Sequence, residues 1–251
     1  MLINTCLRRA VLSVALSAAL SAALPAAAQS AAQPTPSFNA ASCIVRPSRD
    51  AEVATALPGI INRVAVTVGQ RVARGEVLIE LERGLAEASL QLALAREQFA
   101  QRALARNQQL IAEGLLADSE VDRLNSEYRV ALLERQKIEA EIDYLIVTAP
   151  FAGVVAERLI EAGEWSGERA ALRLIDTDQL LLSITAKRDS YDLLAPGVSI
   201  TMAVQGEAEP VVATVTERAP MVEAASASFV VNASFDNRQR GIVPGVACRS
   251  L

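Results

Sequence analysis

Glycine and β-branched residues recur with the same spacing in two segments of the chain. The first segment contains Gly59, Ile60, Ile61, Val66, Gly69, Leu78 and Leu81, and the second, offset by 94 residues, contains Gly153, Val154, Val155, Ile160, Gly163, Leu172 and Ile175. Short β-branched runs separated by glycines predict strands joined by tight turns. The repeat therefore predicts one small β-module made of two halves. An N-terminal strand and the first half occupy residues 44–82, and the second half occupies residues 144–178.

Residues 83–143, between the two halves, have the pattern of two helices. On the first helix Leu85, Leu92 and Phe99 recur at intervals of seven. The second helix has a seam spaced alternately by three and four, with one charged interruption: Val121, Leu124, Tyr128, Ala131, Arg135, Ile138, Ile142 and Leu145. These heptads predict an antiparallel coiled-coil hairpin, about 40 Å long at 1.5 Å per residue.

The connection between the two helices contains residues that are typical of helix ends. Gly114 follows the last apolar residues of the first helix and is predicted to cap its C-terminus. Asp118 or Ser119 is predicted to cap the N-terminus of the second helix. A short connection of this kind makes the two helices antiparallel neighbours.

The remaining residues, 179–251, alternate between apolar and polar positions in several short stretches. One stretch has Val198, Ile200, Met202 and Val204 at alternate positions, and 211–216 and 229–235 repeat the alternation. Short strands at this spacing predict a small β-barrel. The predicted fold is mainly β, with a split β-module, an antiparallel helical hairpin inserted between its halves, and a C-terminal small β-barrel.

Composition narrows the possible classes of function. The chain has 251 residues, no histidine and only 4% aromatic residues. Without histidine it lacks the commonest general base and the commonest metal ligand, which argues against histidine-dependent catalysis. A split module with a projecting insert also favours a spacer or docking protein over an enzyme, and we expect no metal site and no cofactor. The formal net charge of −5 argues against nucleic acid as a partner.

The first 28 residues are predicted to be a cleaved signal peptide. Arg8 and Arg9 precede an apolar run that ends at Pro25 and the small-residue site at 26–28. The competing interpretation is a retained membrane anchor, which needs about 20 apolar residues, more than this run contains. After cleavage, residues 29–43 are predicted to form a flexible leader.

Export would leave two cysteines, Cys43 and Cys248, in an oxidising compartment. If the two ends of the mature chain form neighbouring strands, a disulfide would close a very long loop and stabilise the fold by about 2–5 kcal/mol. The alternative is two unrelated small apolar side chains. The sequence leaves both possibilities open.

Several local motifs occur in a characteristic order: Val68-Gly69-Gln70-Arg71-Val72 with Gly75, Ala149-Pro150-Phe151 with Gly153, and Ala219-Pro220, Phe235-Asp236-Asn237 and Val243-Pro244-Gly245. In these residues the chain resembles the periplasmic adaptor, or membrane fusion, proteins of bacterial tripartite efflux systems, of the HlyD and resistance-nodulation-division adaptor type. The split module resembles a lipoyl domain. The resemblance implies a non-catalytic, homo-oligomeric periplasmic subunit for the efflux of small molecules. Such a subunit bridges an inner-membrane transporter, of the resistance-nodulation-division type, to an outer-membrane channel.

The resemblance also implies that the hairpin tip contacts the channel. The family motif there is an arginine, a leucine four residues later and a serine seven residues after that. Arg106 and Leu110 match the first two positions, Ala117 stands at the serine position, and Gly114 forms the turn between them. The alternative for the first two is that Arg106 is a solvated helix residue and Leu110 seals the end of the coiled coil. The alternative function is an accessory or sensor protein that binds a transporter without bridging to a channel.

A lipoyl-like module also suggests a swinging-arm carrier, which needs a lysine on the turn joining the two halves. The chain has two lysines, Lys137 in the second predicted helix and Lys187 in the predicted barrel. We therefore expect no lipoate or biotin. Adaptors of the resembled type continue past the barrel into a membrane-proximal domain, whereas this sequence ends at Leu251. Docking to a transporter is accordingly expected to use the barrel, or else the protein is an abbreviated adaptor with an unusual partner.

Overall fold

The computed structural model describes residues 38–167 and 169–251. The predicted signal peptide and the predicted leader up to residue 37 lie outside these described residues. The first strand, β1 (Ala40–Pro47), begins inside the predicted leader, so that prediction is wrong for residues 40–43. This stretch is extended because β1 pairs antiparallel with residues 180–186, although its own sequence has little periodicity.

In the described ranges the chain forms fourteen strands and two α-helices, with short 3-10 turns at Arg188–Ser190 and Asp192–Leu194. The further strands are β2 (Asp50–Val53), β3 (Gly59–Val64), β4 (Arg71–Val72), β5 (Val77–Leu81), β6 (Ile146–Thr148), β7 (Gly153–Arg158), β8 (Trp165–Ser166), β9 (Leu172–Ile175), β10 (Gln179–Lys187), β11 (Ser199–Val204), β12 (Val211–Arg218), β13 (Ser228–Asp236) and β14 (Cys248–Ser250). The helices are α1 (Gly84–Ala112) and α2 (Asp118–Tyr144). The prediction of a mainly β protein with two helices is confirmed.

Strands β2 to β9 form a module of two four-stranded sheets, with the orders β2-β9-β7-β4 and β6-β5-β3-β8. Each sheet contains two strands from before the helices and two from after them. Neither half of the repeat could therefore complete a sheet by itself. The module closes only when the chain on both sides of the helical insert comes together.

Backbone hydrogen bonds relate the two halves reciprocally. The N–H of Gly69 donates to the carbonyl of Val155 at 2.8 Å, and the N–H of Gly163 donates to the carbonyl of Ile61 at 2.8 Å. Both glycines have positive φ, +84° and +88°, which L side chains rarely adopt. The sequence repeat thus corresponds to an approximate two-fold arrangement in which each half hydrogen-bonds to the equivalent position of the other.

The interior of the module is filled by apolar side chains from both halves. Those that are at most 1% exposed are Ile61, Leu78, Ile79, Leu81, Val155, Ala171, Leu172 and Leu174. Gly153 allows two strands to approach closely, since a Cβ atom there would lie 2.4 Å from the carbonyl oxygen of Ile175. The interior leaves this position no room for a side chain.

Helices α1 and α2 pack against each other along the hairpin. On α2 two residues of the predicted seam, Leu124 and Ala131, are buried. On α1 the buried residues are Ala93 and Ala100. Neither helix combines the length and the apolar content needed to cross a membrane.

The predicted seam of α1 is wrong. Leu85, Leu92 and Phe99 are 85%, 55% and 65% exposed, respectively. The buried alanines follow Leu92 and Phe99 by one residue, which is a rotation of about 100° around the helix. Seven-residue spacing fits both faces equally, and in the hairpin the alanines are buried while the longer apolar side chains are exposed.

The remaining strands form one six-stranded sheet in the order β1-β10-β13-β12-β11-β14. Val45 of β1 closes it, because its N–H donates to the carbonyl of Val246 at 2.9 Å and its carbonyl accepts from Gly245 at 2.8 Å. Alternate residues of the strands point inward, as in Leu180, Leu182 and Ile184, which are fully buried. The barrel-like sheet therefore includes β1, although the sequence pattern places this strand with the first half of the module.

A disulfide joins Cys43 of β1 to Cys248 of β14, with their Cα atoms 4.9 Å apart. It lies where the first and last strands of the sheet meet, next to the backbone bridge between Ile44 and Ala247. Of the two possibilities that the sequence left open for these cysteines, the structure has the paired one.

Candidate functional site

The tip of the hairpin is built by the C-terminal end of α1. Gly114 has φ +68° and donates to the carbonyl of Ile111 at 3.1 Å, while Leu115 donates to the carbonyl of Leu110 at 2.9 Å. These two bonds make a Schellman motif, which satisfies the last carbonyls of a helix and requires a left-handed residue. The chain can therefore turn sharply at Gly114.

Two leucines give the tip an apolar surface. Leu110 is 41% exposed and Leu115 is 68% exposed. Arg106 lies one helical turn before Leu110 and is also exposed. Residues four apart share one face of a helix, so Arg106 and Leu110 present a positive charge and an apolar side chain side by side.

The start of α2 differs from its prediction. Ala117, not Asp118 or Ser119, occupies the N-cap position, and no side chain there accepts a hydrogen bond from the helix. Asp118 and Glu120 instead lie in the first turn, where negative charge interacts favourably with the helix dipole. Ala117 is exposed and adjoins the turn at Gly114. The four residues assigned to the tip thus lie on the last two turns of α1 and the connection that follows.

The middle of the hairpin is held by charged side chains that face each other. Arg135 donates to Glu139 at 2.5 Å and to Glu97 of α1 at 2.6 Å. Hydrogen bonds to Glu139 and Glu97 raise the pKa of Arg135. Arg96 and Glu134 form a second pair across the helices at 2.7 Å. These contacts fix the register of α1 against α2.

The junction between the module and the barrel contains a further set of polar contacts that the sequence analysis missed. Arg49 donates twice to Asp176, at 2.7 and 3.1 Å, and its guanidinium lies 4.5 Å from the ring centre of Phe151. Burial would raise the pKa of Asp176, but hydrogen bonds from Arg49, the backbone N–H of Asp178 and Ser48 outweigh it and lower that pKa. An ionised carboxylate is therefore held where the chain passes between the two parts.

A second ion pair crosses the same junction. Arg71, in the module, lies 2.7 Å from Asp178, just before the first residue of β10. Asn237 follows β13 and donates to the carbonyls of Thr177 and Ile242, each at 2.9 Å. Arg71 and Asp178 are 107 residues apart, so no local spacing in the sequence could have signalled their contact.

The chemistry of these sites suits contact with another protein. Within residues 38–167 and 169–251, no group of three or more cysteines or carboxylates is arranged to hold a metal ion. The hairpin tip has exposed leucines and a tight backbone turn, and paired charges lie along the middle of the hairpin and at the junction. Such groups can form an interface but do not supply a nucleophile with an adjacent base.

Comparison with known families matches the part of the chain that contains the module and the hairpin. Residues 49–176 match the model of the CzcB-like, barrel-sandwich hybrid domain. This range includes both halves of the repeat and the helical insert between them.

Individual proteins are similar over most of the chain. An uncharacterized protein of Haemophilus influenzae is 26% identical over 204 residues, which are 80% of this chain and 53% of that protein. The solvent efflux pump periplasmic linker SrpA of Pseudomonas putida is 24% identical over 221 residues, 81% of this chain and 58% of the linker. The chain thus spans little more than half the length of these relatives.

Among solved structures, a chimeric MacA-MexA protein that contains the Pseudomonas aeruginosa MexA α-hairpin domain superposes with a TM-score of 0.76. The superposition covers 85% of this chain and 80% of the chimera, at 17% sequence identity. At that identity the likeness concerns the fold alone.

Proposed function

The chain belongs to the family of the CzcB-like barrel-sandwich hybrid domain, and from this we propose that it is a non-catalytic periplasmic adaptor of an efflux system. In this proposal it bridges an inner-membrane transporter of the resistance-nodulation-division type to an outer-membrane channel, and it acts as a homo-oligomer. The name of the related linker SrpA, a periplasmic component of a solvent efflux pump, supports both the compartment and the role.

One observation carries the proposal. The two helices are inserted between strands that complete the module without them, so the hairpin is free to serve as an arm. Its tip ends in a tight turn at Gly114 with the exposed side chains of Leu110 and Leu115. Exposed apolar side chains at the end of a rigid arm are suited to contact a partner.

The other parts support the same role. Ion pairs across the junction, Arg49 with Asp176 and Arg71 with Asp178, join the module to the barrel. The barrel has its first and last strands joined by a disulfide, as expected for an exported protein. We propose that this barrel contacts the transporter, and that the hairpin acts as a coiled-coil spacer towards the channel.

The experiment that tests bridging places a photocrosslinking amino acid at position 114 of the full chain in cells. We expect capture of an outer-membrane protein. The matched control is position 87, where Glu87 is equally exposed on α1 but lies near the base of the hairpin. Capture of inner-membrane or soluble proteins alone from position 114 would reject bridging and favour an accessory or sensor role.

A further inference from the structure

A groove of about 630 Å³ lies between the module and the barrel. On the module side it is lined by Arg71, Val154 and Ile175, which lie side by side on β4, β7 and β9. The facing side is formed by residues 241–244, in the loop that leads from β13 towards β14. We call this cleft the junction groove. Clefts of about 300–1,000 Å³ between two parts of a protein are common binding sites for small molecules.

The lining of the junction groove is mainly apolar. On the module side Val154 and Ile175 are half-buried. On the barrel side Val243 is 69% exposed and lies between the buried Ile242 and the half-buried Pro244. Apolar side chains that still face water inside a cleft gain free energy when an apolar group displaces that water. The groove therefore favours a ligand with an apolar body.

The barrel side of the groove is held in place by Asn237, which is 4% exposed. Its side chain donates to the carbonyls of Thr177 and Ile242, each at 2.9 Å, and accepts from the N–H of Ile242 at 2.8 Å. Its own N–H donates to the carbonyl of Asp178 at 2.8 Å. Asn237 thus ties the loop to the connection between β9 and β10. Because the groove is already formed, a ligand does not need to order the chain in order to bind.

The charged residues in the lining of the groove are Arg71, Arg238 and Asp178, so positive charge is in excess. Arg71 pairs with Asp178 at 2.7 Å, and Arg238 pairs at 2.5 Å with Asp236, which lies outside the lining. A guanidinium group has five N–H donors, more than one carboxylate can accept. Each arginine therefore keeps donors for a further acceptor, and the excess of positive charge favours an acceptor that is an anion.

We propose that the junction groove binds an anionic amphiphile, which is a small molecule with an apolar body and one carboxylate or sulfonate head group. The apolar body packs between Val154 and Ile175 on one side and Val243 on the other. The head group accepts hydrogen bonds from Arg238 at the edge of the groove. Charge-assisted hydrogen bonds of this kind are roughly twice as strong as neutral ones. The bound molecule contacts the module and the barrel at once and so holds them together.

The test compares two fluorescent probes on the purified full chain. Anilinonaphthalene sulfonate is anionic, and phenylnaphthylamine has the same aromatic body without the sulfonate. The fluorescence of both rises when they leave water, so titration measures the dissociation constant and the number of sites. We expect one molecule of the anionic probe to bind per chain, and the neutral probe to bind about tenfold more weakly.

Two variants at exposed positions locate the site. We expect Val243→Gln to weaken both probes about fivefold, because it removes an apolar contact. We expect Arg238→Gln to weaken the anionic probe about tenfold and to leave the neutral probe unchanged. The matched controls are Val212→Gln, which is 62% exposed on β12, and Arg240→Gln, which is exposed in the same loop as Arg238. Neither control residue lines the groove, so both controls should bind like the original protein. Far-UV circular dichroism verifies that each variant is folded.

Hydrogen exchange gives a second measurement at the site. A saturating concentration of the anionic probe should slow the exchange of the Asn237 amide, whose bond to Asp178 lies beside the groove. The amide of Gly163, which bonds to Ile61 inside the module, should exchange as it does without the probe.

Three results would overturn the proposal. The first is the absence of saturable binding of the anionic probe, and the second is equal affinity for the two probes. The third is undiminished binding in folded Val243→Gln and Arg238→Gln variants, which would place the probe on another surface, such as the exposed leucines of the hairpin tip. The site does not rest on the adaptor function, because the purified chain is tested alone. Capture of a channel from position 114 would leave that function standing whatever the probes show.

Discussion

Arg135 of α2 donates from Nε to Oε2 of Glu97 across the hairpin, at 2.6 Å. Both side chains are largely buried, 20% and 16% exposed. The buried apolar residues of the two helices are three alanines and a leucine. Removing one member of a poorly solvated pair leaves the other without its partner, whereas replacing both by apolar residues is often neutral or stabilising. A charged pair in a coiled-coil seam also fixes register.

We therefore expect Arg135→Leu to lower the Tm of the helices by about 3 °C and the double variant Glu97→Leu with Arg135→Leu to restore or exceed the original Tm. Thermal unfolding followed by far-UV circular dichroism measures the Tm of each variant. The control is Glu134→Gln, which removes the exposed ion pair with Arg96. Surface ion pairs contribute little to stability, so we expect no clear change in the Tm. A double variant as unstable as the single one would contradict the explanation.

A second prediction concerns Gly153, the counterpart of Gly59 in the repeat. A Cβ at position 153 would lie 2.4 Å from the backbone oxygen of Ile175, which cannot move without breaking the sheet, while a Cβ at position 59 meets only the flexible end of Leu81 at 3.0 Å. We expect Gly153→Ala to destabilise the module by about 2–3 kcal/mol and Gly59→Ala by clearly less. Urea unfolding compares the two variants.

Gly167→Ala is the matched control for both glycine variants, because a Cβ there has no atom within 4 Å. We expect this variant to unfold like the original protein. Equal losses at positions 153 and 59 would show that the backbone of β9 adapts, against the steric argument.

The repeat predicted the module well because several of its positions perform the same task in both halves. Gly69 and Gly163 both adopt positive φ, and Ile61 and Val155 accept their hydrogen bonds. Local sequence therefore contained enough information to identify the two halves. Closure of the barrel by β1 was missed, because it depends on a partner strand more than 130 residues away.

The functional surfaces were harder to predict. Seven-residue spacing identified α1 as a helix, but it could not decide whether Phe99 or Ala100 faces α2, since adjacent residues satisfy the same period. The ion pairs at the junction join residues 107 and 127 apart, which no periodicity can reveal. At the tip, Gly114 was identifiable from its place after an apolar run, whereas Ala117 has no capping side chain by which to recognise it.

A third prediction concerns acid stability at the junction. Burial and the opposing hydrogen bonds from Arg49, Asp178 and Ser48 leave the pKa of Asp176 below its ordinary value of 3.8. A carboxylate with a lowered pKa stabilises the fold above 3.8, and this contribution is lost as the pH falls through the pKa of the folded state. We expect Asp176→Asn to cost about 1–2 kcal/mol at neutral pH, and the difference from the original protein to narrow below pH 3.8.

Urea unfolding at several pH values measures that difference. Arg49→Gln provides an independent control, because burial is then opposed by fewer hydrogen bonds and the pKa of Asp176 should rise. Titration of the carboxyl carbon by NMR reads the pKa directly. A pKa that does not move in Arg49→Gln would show that the backbone N–H of Asp178 and the side chain of Ser48 keep the carboxylate ionised without Arg49.

The last prediction concerns the disulfide between Cys43 and Cys248. It closes a loop with a sequence separation of 205, and a loop of that length strongly restricts the unfolded chain. We expect the double variant Cys43→Ser with Cys248→Ser to lose about 2–5 kcal/mol of stability. In the folded variant, β1 and the residues leading into β14 remain joined by the backbone bonds of Val45 and the bridge between Ile44 and Ala247, so their pairing should open more often.

Hydrogen exchange followed by mass spectrometry locates that effect. The amide of Val45 should exchange faster in the serine variant, while the amides of Gly69 and Gly163 in the module should keep their protection, because their bonds join strands that the disulfide does not touch. A reducing agent should reproduce the change in the original protein and add nothing to the serine variant. Equal loss of protection in both parts would mean that barrel and module unfold as one unit, and the ion pairs of Arg49 and Arg71 across the junction would then be the contacts that couple them.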